Sequence, residues 1–162
     1  MIELVVRISS WQSLFKSHNV SILMYHFVFV AKYRRLVISA EVDQVLKQVC
    51  AEISMKYEIR FLEMGTEGDH VHFLIQSVPS YSPTKIVTKV KSITAREIFS
   101  RVPEVKAQLW GGEFWTDGYF VSTVGEHANE DVIREYIKNQ GKHGEYKQLH
   151  KQEISHKQLT LF

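Results

Sequence analysis

The chain has 162 residues, of which 44% are hydrophobic and 23% charged, with 8 glycines and 3 prolines. This length and composition are typical of one folded domain and exclude a disordered or low-complexity protein for most of the chain. The single cysteine, Cys50, excludes an internal disulfide framework and any zinc site that needs several cysteines. The formal net charge of +2 gives little sign of a nucleic-acid partner, which usually requires a larger basic surplus.

The sequence gives no sign of a membrane segment. No apolar stretch approaches the roughly 20 residues that a helix needs to cross a bilayer. The N-terminal segment MIELVVRISSWQSLF lacks the basic start, the continuous apolar centre and the cleavage site of a signal peptide. We therefore expect a cytoplasmic protein with no membrane partner. We predict one domain at residues 22–141, an N-terminal extension of unknown role at residues 1–21, and a C-terminal tail at residues 142–162.

The first half of this domain predicts three strands and one helix. Residues 22–32 are rich in aromatic and β-branched side chains, which favours a strand. Residues 40–57 place apolar side chains mostly three and four positions apart, which is typical of an amphipathic helix. Residues 58–64 and 69–78 predict two strands that form a hairpin across a turn at residues 65–68.

The second half predicts a helix, an aromatic loop, a strand and a last helix. A serine cap followed by proline favours a helix over residues 82–100. A loop rich in aromatic residues and glycine then leads to a strand at residues 119–124. Early acidic residues favour a helix over residues 129–140, with Gly141 as its natural stop. The order βαββαβ plus a helix predicts an α+β fold, a ferredoxin-like (split βαβ) antiparallel sheet with helices on one face and a C-terminal helix.

His70 and His72 are the first candidates for chemistry. Side chains at positions i and i+2 of a strand share a face, so the two imidazoles project side by side and suit one divalent metal. The pair alone is weak evidence, because two half-exposed strand histidines explain it equally well. No other histidine has the spacing of a ligand. Alternation places Asp69 on the opposite face, so we leave it out of the ligand set. Asp69 or Glu67 could orient an imidazole, although an ordinary turn acid is the simpler interpretation.

Tyr136 and Gln140 lie four positions apart on the last predicted helix and therefore share a face. That face is expected to pack on the sheet, where a tyrosine is most simply a core residue. The amide of Gln140 needs a polar partner there, because an unpaired buried amide is costly. A metal ion or a bound phosphate would provide one. Two imidazoles and an amide oxygen leave coordination positions open, which fits a Lewis acid over a phosphodiester better than a closed zinc site.

Basic residues gather in two clusters that also contain or adjoin aromatic rings. For any single residue of this kind, a solvated surface is the simpler interpretation. As groups, they match a single-strand-binding groove, in which charges follow the backbone and rings stack on the bases. The predicted DNA-binding residues are Lys32, Arg34 and Arg35 around Tyr33, and Lys85, Lys89 and Arg96 on the helix at residues 82–100.

Together these segments resemble a known family. The strand GDHVHFLI matches the His-hydrophobe-His motif of HUH endonucleases, and the helix IREYIKNQG matches their single catalytic tyrosine followed four residues later by a glutamine ligand. The stretches YHFVFVAKYRR, SPTKIVTKVKSITAREIF and LWGGEFWTDGYFVSTVG are similar to the family's first strand and basic turn, its second helix and its aromatic loop. The likeness covers about residues 25–141 in the same order. It points to the TnpA-type transposases of small insertion sequences that move as single-stranded DNA.

This resemblance implies a reaction and its participants. Tyr136 would be the nucleophile, and His70, His72 and Gln140 would hold Mg²⁺ or Mn²⁺. The enzyme would cleave and rejoin single-stranded DNA at hairpin-bearing element ends through a 5′-phosphotyrosine, without a nucleotide cofactor. The family also implies a homodimer, in which the tyrosine helix of one subunit can complete the histidine pair of the other.

Two other functions stay open at this point. A domesticated relative that acts on repetitive palindromic elements would carry the same motif residues and differ only in its genomic context. A non-catalytic ferredoxin-like nucleic-acid-binding module would owe its affinity to the basic and aromatic residues, with the histidines incidental. The low net charge fits any of these, because basic and acidic residues are concentrated in separate segments.

Overall fold

The computed structural model describes residues 14–16 and 19–125, with side chains from residue 21 onward. Strands β1 (Leu14–Lys16) and β2 (Asn19–Ser21) pair with each other in a small antiparallel sheet, in which Leu14 lies opposite Ser21. Part of the predicted N-terminal extension, residues 1–21, therefore forms regular backbone structure.

A four-stranded antiparallel sheet is the centre of the fold. Its strands are β3 (Leu23–Val30), β4 (Ile59–Thr66), β5 (His70–Ser77) and β6 (Phe120–Val124), and they lie in the order β4-β5-β3-β6. The two central strands, β3 and β5, pair along their whole lengths. The helices that connect the strands are α1 (Ala40–Lys56), α2 (Pro83–Arg101) and the short α3 (Pro103–Gln108). This arrangement confirms the predicted α+β, ferredoxin-like fold.

The helices described by the structure pack on one face of this sheet, as predicted. Alternate residues of the central strands point to that face, among them Phe27 and Phe73, which are fully buried. They share one hydrophobic cluster with residues of all three helices, including Leu46, Ile86 and Val105. Burying side chains of this size stabilises the fold by about 1.5–3 kcal/mol each. The other residues of each strand, the two candidate histidines among them, point to the opposite face.

Local signals explain most element ends. The hydroxyl of Ser82 accepts a hydrogen bond from the backbone N–H of Lys85 at 3.1 Å, which confirms the predicted cap of α2. The hydroxyl of Ser39 caps α1 in the same way. The short helix α3, which begins at Pro103, was not predicted. The available signal was a proline at the first helical position. Burial of Val105 in the core stabilises this short helix.

The β4–β5 turn is shorter than predicted. Gly65 and Thr66, expected in the turn, continue strand β4 and pair with His72 and Val71. A bulge between Phe61 and Glu63 shifts the register along this pair. The turn is left with residues 67–69, which places its acidic side chains beside the first histidine of β5.

The aromatic loop before β6 is fixed to α2 by the half-buried amine of Lys91. The Nζ of Lys91 donates to the carbonyl oxygens of Thr116, Asp117 and Gly118 at 2.7, 3.2 and 2.8 Å. Burial is the main reason that the pKa of Lys91 is lowered. This lysine therefore has a structural role. No helix among the described residues has the length and apolar character that a membrane span requires.

Candidate metal centre and active site

The two histidines of β5 lie on the sheet face opposite to the three described helices. Val71 and Phe73 point into the helical core, so His70 and His72 point to the other side, as the strand alternation predicts. The imidazole rings lie edge to face, with their centroids 5.0 Å apart. His72 is buried and His70 is half-buried. Two nitrogen donors are thus held side by side on a rigid central strand.

Asp69 orients the first imidazole. Its Oδ1 lies 2.6 Å from Nδ1 of His70, and its Oδ2 accepts a hydrogen bond from Nε of Arg34 at 3.2 Å. With Nδ1–H donated to Asp69, His70 presents the lone pair of Nε2, which is the arrangement common behind metal-bound histidines. Partial burial alone would raise the pKa of Asp69, but the hydrogen bonds with His70 and Arg34 outweigh it and lower that pKa. Asp69 is therefore more than an ordinary turn acid.

A strained turn positions Arg34 for its contact with Asp69. The 3-10 turn Lys32–Arg34 follows β3, and both Tyr33 and Arg34 have left-handed backbone angles, with φ of 58° and 52°. Such angles cost free energy in residues other than glycine and persist where surrounding contacts enforce them. The backbone N–H of Arg34 donates to the carbonyl oxygen of Ala31 at 2.9 Å, while its side chain reaches Asp69. The basic turn and the imidazole are linked through one carboxylate.

A third histidine, His26 on β3, contacts His72. Nε2 of His26 lies 3.1 Å from Nδ1 of His72, and the rings stack with centroids 5.3 Å apart. Burial lowers the pKa of His26 to about 4. Burial, followed by the charges of His26 and His70, lowers the pKa of His72 to about 3. Both rings are therefore neutral near pH 7, and with Nδ1–H of His72 donated to Nε2 of His26, Nε2 of His72 presents the lone pair that binds a metal.

This burial predicts how stability depends on pH. Unfolded histidine has a pKa of about 6.5, so between about pH 6.5 and 4 the unfolded chain binds more protons at His26 than the folded chain does. Stability is therefore expected to fall as the pH decreases through this window, by on the order of 3 kcal/mol for His26. Urea unfolding at several pH values in the presence of a chelator measures this. The variant His26→Phe should lose clearly less stability over the same window; an identical pH dependence in both proteins would contradict the assignment.

Glu67 completes the group of candidate donors. Metal-ligating atoms of Glu67, His70 and His72 all lie within 4.8 Å of one another. Oε1 of Glu67 is buried without a hydrogen-bond partner among the described residues. A bound cation would satisfy this oxygen, and imidazole and carboxylate donors together suit Mn²⁺ and, with water, Mg²⁺. The residues present therefore fit a divalent metal.

The first basic cluster lies next to this centre. The backbone N–H of Ala31, directly before Lys32, donates to the carbonyl oxygen of Asp69 at 2.8 Å. Lys32 pairs with Glu113 at 2.5 Å, and the hydrogen bond between them is the main reason that the pKa of Lys32 is raised. Arg35 and the ring of Tyr33 are exposed. Of the predicted residues Lys32, Arg34 and Arg35, the structure connects Arg34 to His70 through Asp69, and the other two flank it in the same turn.

The second basic cluster lies on the other side of the sheet. Lys85, Lys89 and Arg96 belong to α2, which packs on the face opposite to the histidines. Nζ of Lys85 lies 4.2 Å from the centroid of the Tyr81 ring, and Nζ of Lys89 lies 4.0 Å from that of Tyr57. Their DNA contacts remain a prediction. Tyr136, Gln140 and the predicted helix over residues 129–140 lie outside the described residues.

Comparison with known proteins identifies the family. The family model described as "Transposase IS200 like" matches residues 19–140, which is most of the chain. The chain belongs to the IS200-like transposase family. The resemblance drawn from the two motifs is confirmed, and membership supports an enzyme that cleaves and transfers DNA.

Individual relatives agree with this transposase assignment. The ISDra2 transposase TnpA of Deinococcus radiodurans is 33% identical over 118 residues, which is 73% of this chain and 84% of the relative. The transposase for insertion sequence element IS200 of Salmonella typhimurium is 30% identical over 116 residues, or 72% of this chain and 75% of the relative.

Two solved structures share the fold. A putative transposase from Deinococcus radiodurans R1 has 32% identity and a TM-score of 0.64, covering 78% of this chain and 97% of its own. A REP-associated tyrosine transposase bound to a REP hairpin has 12% identity and a TM-score of 0.53, covering 82% of this chain and 75% of its own. At that identity the second likeness concerns the fold alone.

Proposed function

We propose that this transposase cleaves and rejoins single-stranded DNA at hairpin-bearing element ends through a covalent 5′-phosphotyrosine on Tyr136. The observation that carries the proposal is the pair of imidazoles on one sheet face, beside a basic turn. Asp69 contacts Nδ1 of His70 and His26 contacts Nδ1 of His72, which leaves Nε2 of each ring for a metal ion. Membership of the IS200-like transposase family supports the choice of a DNA substrate.

His70, His72 and Gln140 would hold Mg²⁺ or Mn²⁺ in this scheme. Two neutral imidazoles and one amide oxygen would leave positions for phosphate oxygens. When bound, the ion would polarise the scissile phosphate and favour the ionised form of a nearby tyrosine. The contribution of the sheet is to align both rings, through Asp69 beside His70 and His26 beside His72.

Tyr136 would carry the bond-making step. Its phenolate oxygen attacks the phosphorus in line, a bond between the tyrosine oxygen and phosphorus forms, and the bond from phosphorus to the 3′ oxygen breaks. The 3′ oxygen leaves and takes up a proton as a 3′-hydroxyl. Because one phosphodiester replaces another, the 3′-hydroxyl of a second strand can reverse the reaction without ATP.

A homodimer follows from the single nucleophile. Excision of an element needs cleavage at both ends, and one tyrosine holds only one covalent DNA end. Two copies of the chain in a symmetric pair would supply two active sites at once. The scheme uses no nucleotide cofactor and no membrane, and we place it in the cytoplasm.

The wild-type protein tests this function directly. Labelled single-stranded DNA from the flanking genomic sequence, containing an imperfect palindrome, should give a protein-linked product with Mg²⁺ on a denaturing gel. The same sequence as a duplex should give far less, and a chelator should prevent the reaction. Absence of an adduct on every flanking palindrome would contradict the proposal. Palindromes that bound one mobile cassette favour transposition, whereas scattered copies favour the domesticated alternative.

The basic turn predicts a salt-sensitive DNA contact. Arg35 is exposed and directly follows Arg34, which contacts Asp69, so Arg35→Ala is expected to weaken single-stranded DNA binding several-fold. Loss of one phosphate contact should reduce the slope of log affinity against log salt by about 0.7. Lys56, exposed at the end of α1, provides a charge-matched control, since Lys56→Ala should change neither quantity. Equal effects of the two substitutions, measured by fluorescence anisotropy, would remove Arg35 from the interface.

A further inference from the structure

Glu67 contains an unsatisfied buried atom. Its Oε1 is the one buried side-chain nitrogen or oxygen within the described part of the chain that lacks a hydrogen-bond partner. Buried polar atoms are nearly always paired, because leaving one unpaired forfeits its solvation. The backbone around it is well ordered by the hairpin: the N–H of Glu67 donates to the carbonyl oxygen of His70 at 2.9 Å. The hairpin thus holds a carboxylate beside the histidines without satisfying it.

The distance to His70 fits a shared ion better than a hydrogen bond. Oε2 of Glu67 lies 3.6 Å from Nε2 of His70, which is beyond hydrogen-bond range. Two donors that each lie about 2.1 Å from one ion, at angles of 90–120°, are about 3.0–3.6 Å apart. Donor atoms from Glu67, His70 and His72, one from each residue, lie within 4.8 Å of one another. Nδ1 of His70 is already occupied by Asp69, so Nε2 is the nitrogen that faces Glu67.

We propose that Glu67 is a third protein ligand of the divalent metal, together with His70 and His72. The inference rests on the proposed function for the presence of that metal and goes beyond it in one respect. The β4–β5 hairpin would hold the ion by itself, with two imidazoles and one carboxylate. Gln140 would then join an ion that is already bound, and the negative charge of Glu67 would contribute much of the affinity.

Direct metal binding tests the proposal without any DNA. Purified full-length protein is titrated with Mn²⁺, and free Mn²⁺ is followed by electron paramagnetic resonance. Glu67→Gln keeps the shape of the side chain and removes its charge, and it is expected to weaken Mn²⁺ binding at least about tenfold. Glu104→Gln, an exposed site on α3, makes the same charge change and should bind Mn²⁺ as the wild type does. Gln140→Ala should retain a measurable site.

Two outcomes would overturn the assignment. Wild-type affinity in Glu67→Gln would show that the carboxylate is no ligand, and loss of binding in Gln140→Ala with retention in Glu67→Gln would place the third ligand on the last helix instead. Should Glu67→Gln unfold on heating much earlier than the wild type, Glu67→His replaces it as the test variant. This variant supplies another donor at the same position and is expected to bind Mn²⁺, whereas Glu67→Ala is not.

The same variants separate this inference from the proposed function. If Mn²⁺ binding depends on Glu67 while no protein–DNA adduct forms with any element end, the ligand assignment stands and the tyrosine mechanism fails. If the adduct forms at the wild-type rate in Glu67→Gln and Mn²⁺ affinity is unchanged, the mechanism stands and the ligand assignment fails.

Discussion

Replacing Tyr136 with phenylalanine is expected to abolish the covalent protein–DNA adduct while leaving hairpin binding nearly intact. Phenylalanine keeps the ring and removes only the hydroxyl oxygen that would attack phosphorus. Loss of a sole nucleophile should lower the rate by at least about 10³-fold, because no neighbouring group can replace it in a covalent step. A denaturing gel with labelled single-stranded DNA and Mg²⁺ measures the adduct, and a native gel measures binding.

A second tyrosine provides the control for this substitution. Tyr119 is partly exposed beside α2, where its hydroxyl lies 3.5 Å from that of Thr84. Tyr119→Phe removes the same atom and should leave the adduct unchanged. A non-catalytic binding module makes the opposite prediction, since Tyr136→Phe would then behave as the wild type in every assay. Undiminished adduct in Tyr136→Phe would eliminate this tyrosine as the nucleophile.

Removing either histidine of β5 is the second large effect that we expect. His70→Ala and His72→Ala should each reduce cleavage by at least about 10³-fold, because the loss of a metal ligand weakens the charge stabilisation at the phosphate. DNA binding should change only a few-fold, since the exposed basic turn is left in place. His72 is buried, so His72→Gln should accompany His72→Ala to separate lost chemistry from lost packing.

His150 provides the matched control for the histidine series. It lies in the predicted C-terminal tail and has no role in the scheme, so His150→Ala should cleave DNA as the wild type does. Cleavage rates with single-stranded substrate in Mg²⁺ and in Mn²⁺ compare the four variants. Unchanged cleavage in both His70→Ala and His72→Ala would exclude the proposed metal centre.

The fold was predictable because local signals and global topology agree. Strand alternation placed His70 and His72 on one face, and the cap at Ser82 fixed the start of α2. The order of strands and helices along the chain then predicted a split βαβ sheet. The observed differences are small and local: β4 contains a bulge and continues through Thr66, and a short helix α3 is stabilised by one buried valine.

The surroundings of the histidines could not be predicted, because they depend on contacts between strands. His26 reaches His72 from the neighbouring strand, at a sequence separation of 46 residues that no spacing rule covers. Glu67 reaches His70 only because β4 continues through Gly65 and Thr66 and shortens the turn. The acidic residues around the HVH motif were the available signal, and the strand register decided which of them faces the imidazoles.

The sequence also could not show which of the basic residues lie on the same face of the sheet as the histidines. Charge and helical spacing placed Lys85, Lys89 and Arg96 on one helix, but sequence alone did not show that this helix packs on the face opposite to the histidines. Lys91 lies in the same basic run and instead binds three carbonyl oxygens of the aromatic loop. Composition therefore identifies the basic segments. The structure distinguishes Lys91, a half-buried lysine with a structural role, from Arg34, an exposed arginine that contacts Asp69 beside the candidate metal centre.

The most direct test of the whole account is to identify the residue that carries the DNA. The adduct formed with single-stranded element-end DNA and Mg²⁺ is digested with a protease and a nuclease, and the modified peptide is sequenced by mass spectrometry. The account predicts that the 5′-phosphate of the DNA is linked to Tyr136, four residues before Gln140. A linkage on any other residue, or a cleaved DNA with no linked peptide at all, would contradict it.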